Sequence, residues 1–208
     1  MTLAELSFLW VAWIVAGGSP GPANLAIAGT SMNVGRKAGL CFAVGVLSGS
    51  MFWGLMAALG MGALMLAHVW VFEVLRYLGA AYLLYLAIKS LRSALNASHA
   101  GAGSAHHGTP LQIYGKGMLL HLTNPKAILS WGAVYAVVIP GDAGIMGALA
   151  LWGFLLTGSA LVFIGYAFLF SSPAMVRAYM KMRRGFEFAF AFMFGAAALK
   201  IFTARLVG

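Results

Sequence analysis

Acidic residues are nearly missing from this chain: Asp and Glu together number 4 among 208 residues, against 13 Lys and Arg. Charged residues of both signs make up only 8% of the sequence, whereas a soluble globular domain carries about 25%. Hydrophobic residues supply 62% and mean hydropathy is +0.92. These values exclude a soluble domain and indicate an integral membrane protein. The single cysteine, Cys41, lies inside an apolar run, so neither a disulfide framework nor a cysteine metal site is available. No Ser-His-Asp order, paired carboxylate or phosphate-cradling loop stands out, which leaves an intramembrane enzyme or an ATP-driven pump without support and implies no cofactor. The formal charge of +9 is dispersed between apolar runs, as membrane topology requires, and forms no single basic face for nucleic acid.

The apolar runs are continuous and show no alternation of period two, so they read as helices and not as barrel strands. At about 20 to 25 residues per span, the chain accommodates about six. We place them at Leu6–Met32, Gly39–Leu66, Val69–Leu91, Gly117–Ile139, Ile145–Phe170 and Phe186–Leu206. The expected fold class is an all-α integral membrane protein, one transmembrane domain over residues 1–208. The first run has Glu5 and no Lys or Arg ahead of it, which reads as a retained span and not a cleaved signal peptide. Loops with Arg36 and Lys37, with Lys89, Arg92 and Lys116, and with Arg177, Lys181, Arg183 and Arg184 alternate with connections near His68 and Asp142 that hold no Lys or Arg. The positive-inside rule makes the basic loops cytoplasmic and both termini periplasmic, with Lys200 and Arg205 as the minority against it.

Residues 93–116 read as a cytoplasmic linker, its core the Ala-, Gly- and Ser-rich stretch Asn96 to Pro110. His99, His106 and His107 lie in it without a neighbouring acid or cysteine, a poor metal site. The sequon Asn96-Ala97-Ser98 is a chance match on the cytoplasmic side. Arg177 through Arg184 suit the anionic leaflet, and Glu73 with Arg76 suit an interfacial ion pair.

Two spans are interrupted by proline near their middles, at Ser19-Pro20-Gly21-Pro22-Ala23-Asn24 and at Thr123-Asn124-Pro125-Lys126-Ala127. Proline removes a backbone donor, and in hydrocarbon the freed groups survive only where protein or a water-lined cavity satisfies them. Broken helices at corresponding places in two halves point to a midplane binding site. Other correspondences follow in the same order. Gly45-Val46-Leu47-Ser48-Gly49-Ser50 resembles Gly153 through Ser159, and Gly79-Ala80-Ala81-Tyr82-Leu83 resembles Gly195-Ala196-Ala197-Ala198-Leu199. Three spans per copy is an odd number, so residues 1–92 and 117–208 are expected to form inverted three-helix repeats. Gly45 and Gly49 are expected to serve close helix packing before substrate contact.

Lys126 lies nine residues into its span, roughly 13 Å deep at 1.5 Å per residue. Glu5, Glu73, Asp142 and Glu187 all fall at expected span ends, so none is an obvious mate for it. The ammonium either binds a substrate carboxylate together with free backbone N–H groups, or bonds carbonyls of the broken first span and locks the halves together. Asn24 and Asn124 are candidate site residues, while Ser19 and Thr123 suit helix capping. His121, a turn before Lys126, could pass a coupling proton, or sit satisfied on a carbonyl.

Ser19-Pro20-Gly21-Pro22, Gly35-Arg36-Lys37-Ala38-Gly39, Phe72 through Leu83 and Leu122-Thr123-Asn124-Pro125-Lys126-Ala127 together resemble the LysE/RhtB family of amino-acid exporters. The resemblance implies secondary export of amino acids across a bacterial inner membrane, driven by a proton or another ion. It carries family motif positions onto Pro20, Pro22, Asn124, Pro125 and Lys126, and with Gly21 and Asn24 these form the expected substrate site. His121 stands where relatives often have a small amide. The scarcity of acids favours a neutral zwitterionic amino acid over a dicationic one. Expected partners are the amino acid, the coupling ion and the lipid bilayer, with a homo-oligomer left open. Metal-ion efflux through the histidine linker and a non-transporting membrane subunit are the competing readings.

Overall fold

The computed structural model describes residues 2–67, 69–95, 105–138 and 144–203. Among them the chain is helical throughout, with no strand. Eight helices follow in order: α1 Leu3–Gly18, α2 Pro22–Asn33, α3 Arg36–Ala67, α4 Val69–Leu95, α5 Pro110–Leu122, α6 Pro125–Val138, α7 Gly144–Leu169 and α8 Pro173–Thr203. The first expected span is thus the pair α1 and α2, bent by 64° at the Pro20-Gly21-Pro22 break. The fourth is the pair α5 and α6, parted at Thr123-Asn124.

The sequence explains both interruptions. Pro22 is the first residue of α2, where its missing N–H costs nothing, and extended Gly21 leads into it. At the second break Pro125 opens α6, and the Asn124 side chain accepts the Lys126 N–H at 3.1 Å. Two boundaries differ from expectation. Residues 110–116 belong to α5 and not to the linker, because Thr109 and Gln112 close a reciprocal capping box ahead of Pro110. The last helix starts at Pro173 and not at Phe186, since the Lys-, Arg- and Met-bearing stretch 175–184 is made of good helix formers. Glu187 is consequently not at a helix end: it lies well inside α8 and is only 4% exposed.

α3 and α7 are the posts of the assembly and pack on each other. α1 leans on α7 and α5 on α3, α2 packs against both α3 and α7, α6 packs against both α4 and α3, and α4 pairs with α8. Leu86 and Ala87 of α4 cluster with Phe190 and Phe194 of α8, and two further apolar clusters fill the interior. One joins Ala26, Ile27, Phe42, Val46, Ile113 and Phe163 from α2, α3, α5 and α7. The other joins Ala58, Trp131, Tyr135, Leu151 and Leu155 from α3, α6 and α7, with Leu9 and Trp13 of α1 packed against it. Glycine permits the closest approach between helices. A Cβ at Gly45 would strike the Tyr114 carbonyl oxygen, and one at Gly117 would strike that of Phe42, so the α3 and α5 backbones touch. Outward faces remain apolar, as with Phe8, Phe192 and Leu199, and this suits a lipid solvent.

His68, His99, Asn96 to Ser98, Asp142 and Arg205 lie outside the described residues, as do the side chains of Glu73, Arg76, Arg183 and Lys200.

Candidate functional site

α1 ends at Gly18 and leaves carbonyl groups without helical donors, a costly condition away from water. Side chains from three helices satisfy them. Asn24 of α2 donates through Nδ2 to Gly17 O at 2.6 Å and to Ser19 O at 3.0 Å. Tyr166 of α7 donates its hydroxyl to Gly18 O at 2.6 Å. Lys126 of α6 donates through Nζ to Ser19 O at 3.0 Å and also to Ser19 Oγ. Ser19 Oγ in turn donates to Ala16 O at 2.8 Å. Lys126 therefore does bond the broken first span, one of its two expected arrangements. The other break is settled nearby: Thr123 Oγ1 donates to Leu119 O at 2.9 Å, and the Trp53 indole donates to Leu122 O at 3.2 Å.

Between the breaks lies a cavity of about 60 Å³, room for about four waters. Gly21, Asn24, His121, Asn124 and Lys126, all expected site residues, line it together with Trp13, Ser50 and Ser159. Pro20 and Pro22 are not in its lining and act on the backbone. Gly21 faces the lysine stem closely enough that an added Cβ would touch Lys126 Cδ at 3.4 Å.

Donors and acceptors are unevenly placed around this space. No side chain caps the N-terminus of α2, so the first-turn N–H groups of Ala23 and Asn24 have no helical partner, and both residues line the cavity. Among the described hydrogen bonds Lys126 commits its ammonium only to Ser19, leaving one proton. Two buried polar atoms there, Asn24 Oδ1 and His121 Nδ1, have no partner among the described residues. Such atoms are rare in native proteins and call for a ligand or water. His121 is 5% exposed, with its ring edge-on to Phe163.

Sequence reasoning passed over three parts of this arrangement. Trp13 Nε1 donates to Ser159 Oγ at 2.9 Å, Trp131 Nε1 donates to Ser50 Oγ at 3.0 Å, and the two indoles meet with centroids 4.6 Å apart. The signal was present, since Gly49-Ser50 and Gly158-Ser159 stand at matching places in the two halves. Tyr166 gave no signal, because nothing in its neighbourhood differs from ordinary span sequence. Glu187 was set aside as terminal, yet it is buried on α8.

Known protein sequences resemble this chain over most of its length. The sequence matches the family described as LysE type translocator over residues 14–205. The chain belongs to the LysE family. A LysE-family match of this extent takes in both breaks and every lining residue of the cavity except Trp13. The threonine efflux protein of Salmonella typhimurium is 32% identical over 176 residues, covering 84% of this chain and 82% of that one. The threonine efflux protein of Escherichia coli K12 is 29% identical over 181 residues, covering 85% and 88%. The leucine efflux protein of Enterobacter sp. is 34% identical over 171 residues, covering 79% and 77%. No solved structure matches the chain.

Proposed function

We propose that this protein is a secondary exporter of neutral amino acids, working by alternating access in a bacterial inner membrane with both termini periplasmic. The observation that carries the reading is the cavity between the breaks, where unpaired donors and unpaired acceptors stand within one small space. A zwitterion is the complementary ligand. Its carboxylate meets the Ala23 and Asn24 N–H groups at the positive end of α2, beside Lys126. Its ammonium meets Asn24 Oδ1 and His121 Nδ1. Pro20, Pro22 and Pro125 create the breaks, and Asn124 fixes the Lys126 backbone. Threonine and leucine, named for the relatives, are both neutral amino acids.

Support for an inverted repeat comes from packing. Gly49 of α3 is where α5 comes close, through Met118 and His121, and its counterpart Gly158 of α7 is where α1 comes close, through Trp10, Trp13 and Ile14. α1 on α7 matches α5 on α3, and α2 on α7 matches α6 on α3. The two interior apolar clusters then act as seals of the site, to be opened in turn.

Purified protein in liposomes preloaded with a panel of amino acids, assayed under an imposed pH gradient, tests the function. Efflux of neutral amino acids and little of lysine or arginine is expected. Folded protein that moves none of them would sink the reading.

A further inference from the structure

The C-terminal end of a broken half-helix is where transporters of this general construction seat a sodium ion or proton, because unwound carbonyls supply the negative ends of dipoles. In this chain the seat is already taken. The Lys126 ammonium crosses from α6 to the end of α1 and holds Ser19 O and Ser19 Oγ, as a small cation would. The residue is tethered to the opposite half of the chain and lines the cavity.

We propose that Lys126 is the coupling-ion site, its tethered ammonium standing where a free coupling cation would sit, so that export runs on the gain and loss of the Lys126 proton and needs no sodium. The proposal rests on the export reading above. In the charged form, Lys126–NH3+ bridges the halves through Ser19. When it becomes Lys126–NH2, the proton leaves to cavity water, the bridge loses its charge, and α1 and α6 are free to part. A proton taken up on the outer side and released on the inner side exchanges for an amino acid moving outward.

The surroundings suit a group that must hold a proton and release it. The C-terminal end of α1 favours the ammonium, while the N-terminal turn of α6, on which Lys126 itself sits, disfavours it. The titratable groups around it are His121 on α5, Lys89 on α4, Glu187 on α8 and Tyr166 on α7, whose hydroxyl bonds the adjacent Gly18 carbonyl. α2 and α3 present Gly21, Asn24 and Ser50, none of which titrates.

Three measurements decide it. Wild-type protein in liposomes should move protons against amino acid, followed with a trapped pH dye, and a sodium gradient should change nothing. Lys126→Arg keeps the charge but cannot release it, so it should melt near the wild-type temperature and show proton movement at background. Lys126→Ala vacates the seat, and methylammonium at about 50 mM should raise its melting temperature by a few degrees while leaving wild type unmoved. Sodium-driven export, proton movement by Lys126→Arg, or no stabilisation of Lys126→Ala by methylammonium each overturns the proposal. Should Lys126→Arg also stop exchanging amino acid, the methylammonium result decides. Absence of any amino-acid exchange by wild type is a different failure, that of the export reading, and the melting experiment still reports on the seat.

Discussion

Replacing Asn24 by Ala removes the amide that serves two carbonyl groups at the first break. No backbone donor among the described residues reaches Gly17 O or Ser19 O; Gly17 O relies on the Nδ2 bond at 2.6 Å, while Ser19 O shares the Nδ2 bond at 3.0 Å with the Lys126 ammonium. Side-chain hydrogen bonds within membranes average about 0.6 kcal/mol and reach about 1.7, so two of them give a loss of about 1 to 3 kcal/mol. Asn33 supplies the control. Its Nδ2 donates at 2.8 Å to Gly29 O, a carbonyl four residues back inside the continuous helix α2. Since that oxygen has a helical donor as well, Asn33→Ala should cost no more than about 0.5 kcal/mol. Reversible unfolding in mixed micelles, followed by circular dichroism, measures both. Equal losses for the two variants would refute the claim that the break is held by the Asn24 amide.

Gly45→Leu and Gly117→Val should each destabilise by about 1 to 3 kcal/mol in the same assay, because their Cβ positions run into backbone oxygens. Gly132→Ala and Gly153→Ala, which have open space around the added atom, should be near neutral. A different perturbation addresses His106, whose ring stacks on Phe42 with centroids 4.7 Å apart and whose N–H donates to Thr30 Oγ1 at 3.2 Å. Burial, and then the nearby Lys116 charge, hold its pKa below the ordinary 6.5. The neutral form is therefore favoured when docked, and the contact is at full strength above about pH 6.5 and lost as pH falls through the lowered value. Hydrogen exchange at residues 105–109 should speed up at pH 5.5 relative to pH 7.5 after correction for intrinsic rates. His106→Phe should abolish that difference; if the difference persists, the histidine is not its source.

Much of this architecture could be read from the residues because hydrophobic length and proline are strong, local signals. The break at Pro20-Gly21-Pro22, the parting at Asn124-Pro125 and the extent of α7 all followed from them. Boundaries failed where helices continue beyond the apolar stretch. Arg177 to Arg184 look like loop on hydropathy, yet they propagate α8 and carry Glu187 inward. The capping box before Pro110 was legible in Thr109-Pro110-Leu111-Gln112, but composition of the flanking linker concealed it. At the site, Gly21, Asn24, His121, Asn124 and Lys126 could be named because polar residues at a break have few other uses. Tyr166, Trp13 and Trp131 could not, since their value lies in bonds to residues more than 80 positions away, and nothing local marks an aromatic residue as a donor to a distant carbonyl.

The two breaks also differ in when their partners come into existence. At the second, the Leu122 carbonyl is served by Trp53, and the rest is served by residues alongside, so everything required is already made when that segment leaves the ribosome. The first break waits. Lys126 lies 107 positions after Ser19 and Tyr166 lies 148 after Gly18, which at about 5 to 20 residues per second is a delay of roughly 5 to 30 s. During that interval Gly18 O lacks its donor and Ser19 O has only Asn24. The nascent N-terminal half must then be sheltered by the insertion machinery or lie close to the water interface, and its final bend is fixed only after the second half has been synthesised.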